Sequence, residues 1–269
     1  MINLKENPVN YFDLLENKLS FRELSEITRK SILEDGYIIL KNFPIDLENL
    51  KDTKKQFLEL SSLIGKPISH DANNSIIWDI KANPGSSSFI KTYSEHSHEA
   101  TLHTDSQYSV YPEDMFGLLS LIKANCGGGV SYLLSLKDIL KALNDLPDGA
   151  EVIDVLSNTD FPFIVPNVFK KNQELEHEFN FGPILRENEI RFRTDTFEKA
   201  LIHDPSLCSA SQLSAYHELK KIIENKNLIT SLYLEPGDLI FINNKTMLHG
   251  RSEFEDQRRH LLRIRMNKD

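Results

Sequence analysis

"ITSLYLEPGDLIFINN", residues 229–244, is the stretch from which the fold can be read. Two apolar runs flank Pro236-Gly237-Asp238, and that triplet is turn chemistry: proline presets one backbone angle and glycine accepts a positive φ. Short apolar runs bounded by turn residues are strands rather than helices. The same character recurs upstream in SIIWDIKA (75–82), SSSFIKTY (86–93), ATLHTDSQY (100–108), FGLLSLIKA (116–124) and GVSYLL (129–134). HLLRIRM (260–266) closes the series.

Helical patterns flank and interrupt these strands. Ser20 followed by Glu23 is a capping-box pair, opening a helix over FRELSEITRKSILED that stops at Gly36. A strand, YIILKNF (37–43), follows. Pro44 and Asp46 predict the start of a second helix carrying Leu47, Leu50, Phe57 and Leu60 and ending near Gly65. Two more helices are expected within the β region, LKDILKALNDL (136–146) and SASQLSAYHELKKIIEN (209–225). There is no repeat and no low-complexity linker. The expectation is one domain over residues 1–269, mainly β with flanking helices: a double-stranded β-helix (jelly-roll or cupin-type) core, with a helical part, residues 1–65, packed on it.

Composition narrows the partners. The chain is 40% hydrophobic and 26% charged, as expected of a folded globular protein. A formal net charge of −9, with no basic run, argues against nucleic acid and anionic membranes as partners. The first residues lack the apolar stretch of a signal peptide, and no run of apolar residues is long enough to span a bilayer. Two cysteines, Cys126 and Cys208, are too few for a disulfide framework, so a cytoplasmic setting is expected. A homo-oligomer stays open.

The chemistry starts at LHTDSQY (102–108). In a strand, residues i and i+2 share a face, so His103 and Asp105 are expected to project together. An imidazole nitrogen plus a carboxylate oxygen is two-thirds of the facial triad of non-haem iron enzymes. His249, just past an apolar strand and before a Gly-Arg pair, is the candidate third ligand. The bland reading of a His-x-Asp pair is a solvated or locally hydrogen-bonded one. Among the competing histidines, most of which are expected at the surface, His96 and His98 form the nearest rival pair. QRRHLLRIRM (257–266) carries Arg258, Arg259, Arg263 and Arg265 in a strand-like segment. Arginine's planar fork suits a carboxylate, so this is either a dicarboxylate pocket beside the metal or a charged, aggregation-resistant edge strand.

Taken in order, HTD, the GGGVS segment, PGDLIFINNKTMLHGRSEF and QRRHLLR resemble the TauD/TfdA-type iron(II)/2-oxoglutarate-dependent dioxygenases, and "INNKTMLHGRSEF" looks most like their clavaminate-synthase-like branch. That resemblance implies Fe(II), 2-oxoglutarate as co-substrate and O2, with His103, Asp105 and His249 as metal ligands. It implies that Arg259 holds the distal carboxylate of 2-oxoglutarate, helped by Ser131 where the family usually has threonine. Arg263 would sit near the metal and grip an anionic group of the substrate. The short spacing from His249 leaves open which of Arg259 and Arg263 takes which carboxylate. The implied reaction is hydroxylation of an unactivated carbon of a small carboxylate-bearing molecule, a free amino acid or derivative, with release of succinate and CO2. The retained carboxylate at position 105 favours hydroxylation over halogenation. The alternatives are a peptide, protein or carrier-tethered substrate, desaturation or cyclisation, and, from another class, a non-catalytic ligand-binding jelly roll. Trp78, Asp79, Glu95, Glu99, Arg191, Arg193 and Asp195 are candidates for lining the pocket.

Overall fold

A computed structural model describes residues 10–70, 74–81, 96–166 and 178–268. The SSSFIKTY segment, Glu95 and His177 lie outside these residues. The strands are β1 (Tyr11–Asp13), β2 (Tyr37–Lys41), β3 (Lys66–Ile68), β4 (Ile77–Ile80), β5 (Ala100–His103), β6 (Met115–Ile122), β7 (Ser131–Ser135) and β8 (Phe161–Ile164). They continue as β9 (Phe179–Gly182), β10 (Leu185–Arg186), β11 (Glu189–Ile190), β12 (Thr230–Leu232), β13 (Leu239–Asn243), β14 (Met247–Arg251) and β15 (His260–Asn267). The helices are α1 (Phe21–Glu34), α2 (Leu50–Ile64), α3 (Leu136–Asn144), α4 (Gly149–Asn158), α5 (Thr194–His203) and α6 (Ala210–Ile223).

Two sheets dominate. One has the order β1-β2-β13-β6-β15-β3, with β4 also pairing β15, and the other runs β12-β7-β14-β5. The alternation of side chains explains how three layers of core arise. In β13, Leu239 and Phe241 pack outward beneath α1 and α2, whereas Ile240 and Ile242 point into the space between the sheets. In the second sheet, Leu134 and Leu248 pack outward with residues of α3 to α6, while Leu133 and Met247 face inward. Both faces of each sheet are therefore covered, which is why the central strands read as continuous apolar runs. The architecture is mostly β with flanking helices around a jelly-roll core, as the sequence predicts.

Local signals account for most element ends. Ser20 and Glu23 form the capping box of α1. Asp46 does not open α2: it accepts from the backbone N–H groups of Glu48 and Asn49, and the helix starts at Leu50, leaving Leu47 outside it and exposed. The expected 136–146 helix ends at Asn144, and the expected 209–225 helix spans Ala210–Ile223, capped by Ser209. Helices α4 and α5 carry weaker signals, since α4 begins on Gly149 and α5 follows the strand-like EIRFR. At the turn before β13, Asp238 N–H donates to the Glu235 carbonyl at 2.9 Å, with Gly237 at φ 86°. No helix among the described residues is long and apolar enough to cross a membrane.

Candidate metal centre

His103 ends β5 and His249 sits in the middle of β14, and the two stand directly opposite each other across the antiparallel pair. Their ring centroids are 4.3 Å apart, and the Phe116 ring lies 4.6 Å from that of His249. The i, i+2 expectation reaches the right neighbourhood by a different route. Asp105 is not in the strand: β5 stops at His103, and Asp105 occupies the turn beyond it. Asn244 holds that turn. Its side chain accepts from Asp105 N–H at 2.8 Å and donates to the carbonyls of Asp105 at 3.2 Å and Glu113 at 2.9 Å. Ser106, at φ 52°, completes the reversal.

The result is a convergent donor set. One oxygen of Asp105, Oδ1, lies 3.7 Å from His103 Nε2 and 3.8 Å from His249 Nε2. One ligand atom from each of the three residues lies within 4.8 Å of the others. His103 Nδ1 is 2.7 Å from the Thr101 carbonyl, which only accepts, so this nitrogen donates and Nε2 is the ring atom turned towards Asp105. Burial, with His103 alongside, drives the pKa of His249 down to about 3, so its imidazole is neutral. Burial opposes ionisation of Asp105, but Arg263 and the nearby His103 outweigh it and keep its carboxyl well below the usual range. Two imidazole nitrogens and one carboxylate oxygen are the donor types that a divalent first-row transition metal takes. The buried Nδ1 of His249 has no hydrogen-bond partner among the described residues.

The arginines separate into distinct roles. Arg263 Nη1 donates to the other oxygen of Asp105, Oδ2, at 3.1 Å. Arg265 pairs with the buried Glu113 at 2.9 Å. Both project from β15 into the interior alongside Leu261, and this strand is central, paired to β6 on one side and to β3 and β4 on the other. The edge-strand alternative is therefore excluded. Arg258 is an exposed partner of Asp256. Arg259 is buried, just before β15, with its guanidinium 5.1 Å from the Phe254 ring centroid. Among the described residues its side chain has no ion pair or hydrogen bond, and burial beside Arg251 depresses its pKa to about 9. Its side chain passes close to Gly129: a Cβ there would stand 3.1 Å from Arg259 Nε.

Other predicted residues fall less neatly. Ser131 opens β7 opposite Arg251 in register, and no hydrogen bond links it to Arg259. Arg193 and Asp195 form a bidentate pair at 2.6 and 3.1 Å at the start of α5. Asp79 is tied to His260 at 2.6 Å and to Lys54 at 2.9 Å, and Trp78 pairs with Arg263 in register. Arg191 donates to the Gln107 carbonyl. Glu99 is exposed. His260 is buried rather than superficial, and so are both ring nitrogens of His70. The carbonyls of His96 and His98 accept from Arg251, whose guanidinium lies 4.7 Å from the Phe254 ring centroid. Arg251 and Asn244 were missed by sequence reasoning. Arg251 follows directly in the HGR triplet, but an asparagine in a turn carries no signal that it braces a distant loop.

Facing sheets that bring together two histidines from paired strands and an aspartate from the turn after one of them are an architecture found in jelly-roll oxygenases. A sequence profile of the Taurine catabolism dioxygenase TauD, TfdA family matches residues 6–265, and the chain belongs to that family. No curated protein sequence matches it significantly. Among solved structures it is similar to asparagine oxygenase in complex with Fe(II), 2S,3S-3-hydroxyasparagine and succinate, with TM-score 0.73 and 20% identity over 92% of this chain and 79% of the other. It is also similar to the non-heme iron oxygenase OrfP with Fe and alpha-ketoglutaric acid, with TM-score 0.68 and 20% identity over 92% and 80%. OrfP has also been solved with (3S)-hydroxy-L-Arg, and that structure superimposes with TM-score 0.69.

Proposed function

We propose that this chain is an iron(II)/2-oxoglutarate-dependent oxygenase that hydroxylates an unactivated carbon of a free amino acid or a close derivative. The observation that carries the reading is the convergence of His103 Nε2, His249 Nε2 and Asp105 Oδ1 around one point. These three residues would hold iron(II). With 2-oxoglutarate and O2, the metal supplies oxidative decarboxylation of the co-substrate to succinate and CO2, coupled to hydroxylation.

The protein's own residues do the rest. Arg259, buried and without an acidic partner, suits the distal carboxylate of 2-oxoglutarate, because a desolvated guanidinium gains most from a bidentate anion. Ser131, on the strand that follows Gly129, would support that carboxylate, in line with the family resemblance. Arg263 fixes the orientation of Asp105, and we assign it to that task ahead of the substrate carboxylate. Phe116, Leu133, Ile240 and Leu261 give the interior an apolar lining that excludes water. Burial keeps the His249 imidazole neutral, Arg263 helps to keep Asp105 ionised, and the Thr101 carbonyl fixes the His103 ring through Nδ1, before any metal arrives. A reducing cytoplasmic setting suits iron(II) and the free Cys126 and Cys208.

The amino-acid substrate class rests on the similarity to asparagine oxygenase and OrfP. Anaerobic addition of iron(II) and 2-oxoglutarate should give a weak visible charge-transfer band, and a succinate-release screen over free amino acids should find turnover. A well-folded protein that gives neither the band nor succinate with any amino acid refutes the reading.

A further inference from the structure

A cleft of about 370 Å³ opens between the loop that follows His103 and the β10–β11 hairpin. His103, Asp105, His249 and Arg259 do not line it, but Thr104 and Asn244 do, so the cleft adjoins the turn that carries Asp105 without including the metal ligands. Its polar lining includes the cations Arg186, Arg191 and Lys245 and the carboxylates Asp114 and Glu189. Both carboxylates lean on Lys245, at 3.8 and 4.0 Å, lengths that leave the ammonium free to bond elsewhere.

The two arginines are the unusual feature. They converge on Gly182: a Cβ placed there would stand 2.6 Å from Arg191 Nη1 and 3.0 Å from Arg186 Nη2. Neither forms an ion pair among the described residues, although the charge of Asp160 reaches Arg191. The Arg186 side chain makes no hydrogen bond among the described residues. Arg191 donates through Nε to the Gln107 carbonyl and lies with its guanidinium 4.5 Å from the Phe163 ring centroid, but its Nη2 is buried with no partner. Burial, and then the charge on Arg186, depress the pKa of Arg191 to about 10. Adjacent like charges with an unpaired buried donor are costly unless an anion joins them, and a guanidinium pair presents several donors to one oxyanion. The rest of the wall mixes the polar Thr104, Ser109, Asn244 and Asn267 with an apolar part made by Ile184, Ile190, Val110 and the largely exposed Tyr111.

We propose that this cleft binds a small organic anion, its charged group on Arg186 and Arg191 and its apolar body against Ile184, Ile190 and Tyr111. A carboxylate and a phosphate monoester share this chemistry, and the experiment separates them. Isothermal titration of the full chain with phenyl phosphate, benzoate and inorganic phosphate should show saturable binding of at least one of the two organic probes, and whichever binds identifies the anion class. Arg186 is exposed, so Arg186→Gln leaves the fold intact. It should weaken that binding at least about tenfold, or roughly 1.4 kcal/mol. Lys245→Gln, at the edge of the cleft, should weaken it less, and Arg259→Gln should leave it unchanged. Three outcomes overturn the proposal: no saturable binding of either organic probe, binding retained in Arg186→Gln but lost in Arg259→Gln, or inorganic phosphate binding as tightly as the organic probes.

Discussion

Arg263 Nη1 lies 3.1 Å from Asp105 Oδ2, while the other oxygen of the same carboxylate faces Nε2 of both histidines. One oxygen is thus tethered and the other left for a metal. Groups that orient a ligand without touching the metal typically change affinity about 10–100-fold when lost. Arg263→Met should weaken Co(II) or Mn(II) binding by that factor. It should also destabilise the fold by about 3–5 kcal/mol, because a buried carboxylate is left unpaired. Metal titration and denaturant melts check the two effects separately, and unchanged metal affinity would remove the tether from the account.

Asn244 braces the turn that carries Asp105 through three backbone contacts. Asn244→Ala leaves those buried groups unpaired at about 1–3 kcal/mol for each one not rescued by water. The expected result is lower thermal stability, faster hydrogen exchange over residues 105–113 and weaker metal binding, with α1 and α2 unaffected. Uniform loosening of the whole chain would show that the asparagine acts on global stability only.

Gly129 combines a φ of 77° with a side-chain neighbour, Arg259, that a methyl group would displace. Gly129→Ala should therefore raise the KM for 2-oxoglutarate. Arg259→Gln should raise it further, by tenfold or more if one charge-assisted pair of about 1.5–3 kcal/mol is lost. Substrate KM at saturating co-substrate should change little in both. A selective rise in the substrate KM would reverse the assignment of Arg259 and Arg263.

Asp79 is clamped by His260 at 2.6 Å and Lys54 at 2.9 Å, and its carboxyl is held well below the usual range, chiefly by the hydrogen bond from His260. A carboxyl whose folded pKa is depressed stabilises the fold above its unfolded value near 3.9, and that contribution is lost as pH falls through the folded value. Its side chain is 35% exposed, so the effect is modest. Asp79→Asn should lower the melting temperature at pH 7, and the gap from the unsubstituted protein should narrow towards pH 3. A gap that does not depend on pH would mean packing, not charge, explains the loss.

The sequence speaks most clearly where a pattern is local. The Pro236-Gly237-Asp238 turn, the Ser20/Glu23 cap and the apolar runs around them carry their own physics, and the sheets follow. His103, Asp105 and His249 were legible because their types and order suit one kind of chemistry. Other features were hidden because they depend on who meets whom. Nothing in QRRHLLRIRM tells that Arg263 ends on Asp105 while Arg265 ends on Glu113. His260 and His70 looked like surface residues, because burial of a histidine depends on distant strands. The helix at 149–158 was missed although Asp148 and Glu151 stand at its cap and first turn, because Pro147-Asp148-Gly149 reads as a turn and the Asp148 side chain makes no capping bond.

Asn244 and Asp105, joined by hydrogen bonds, are 139 positions apart along the chain, and His103 meets His249 only when β5 docks on β14. No short fragment can therefore assemble the three donors, and an unfolded chain offers a metal only scattered single ligands. Iron should act as a selective clasp on the finished sheet, adding stability in proportion to RT ln(1 + [metal]/Kd) and slowing unfolding, with little effect on the early steps of folding.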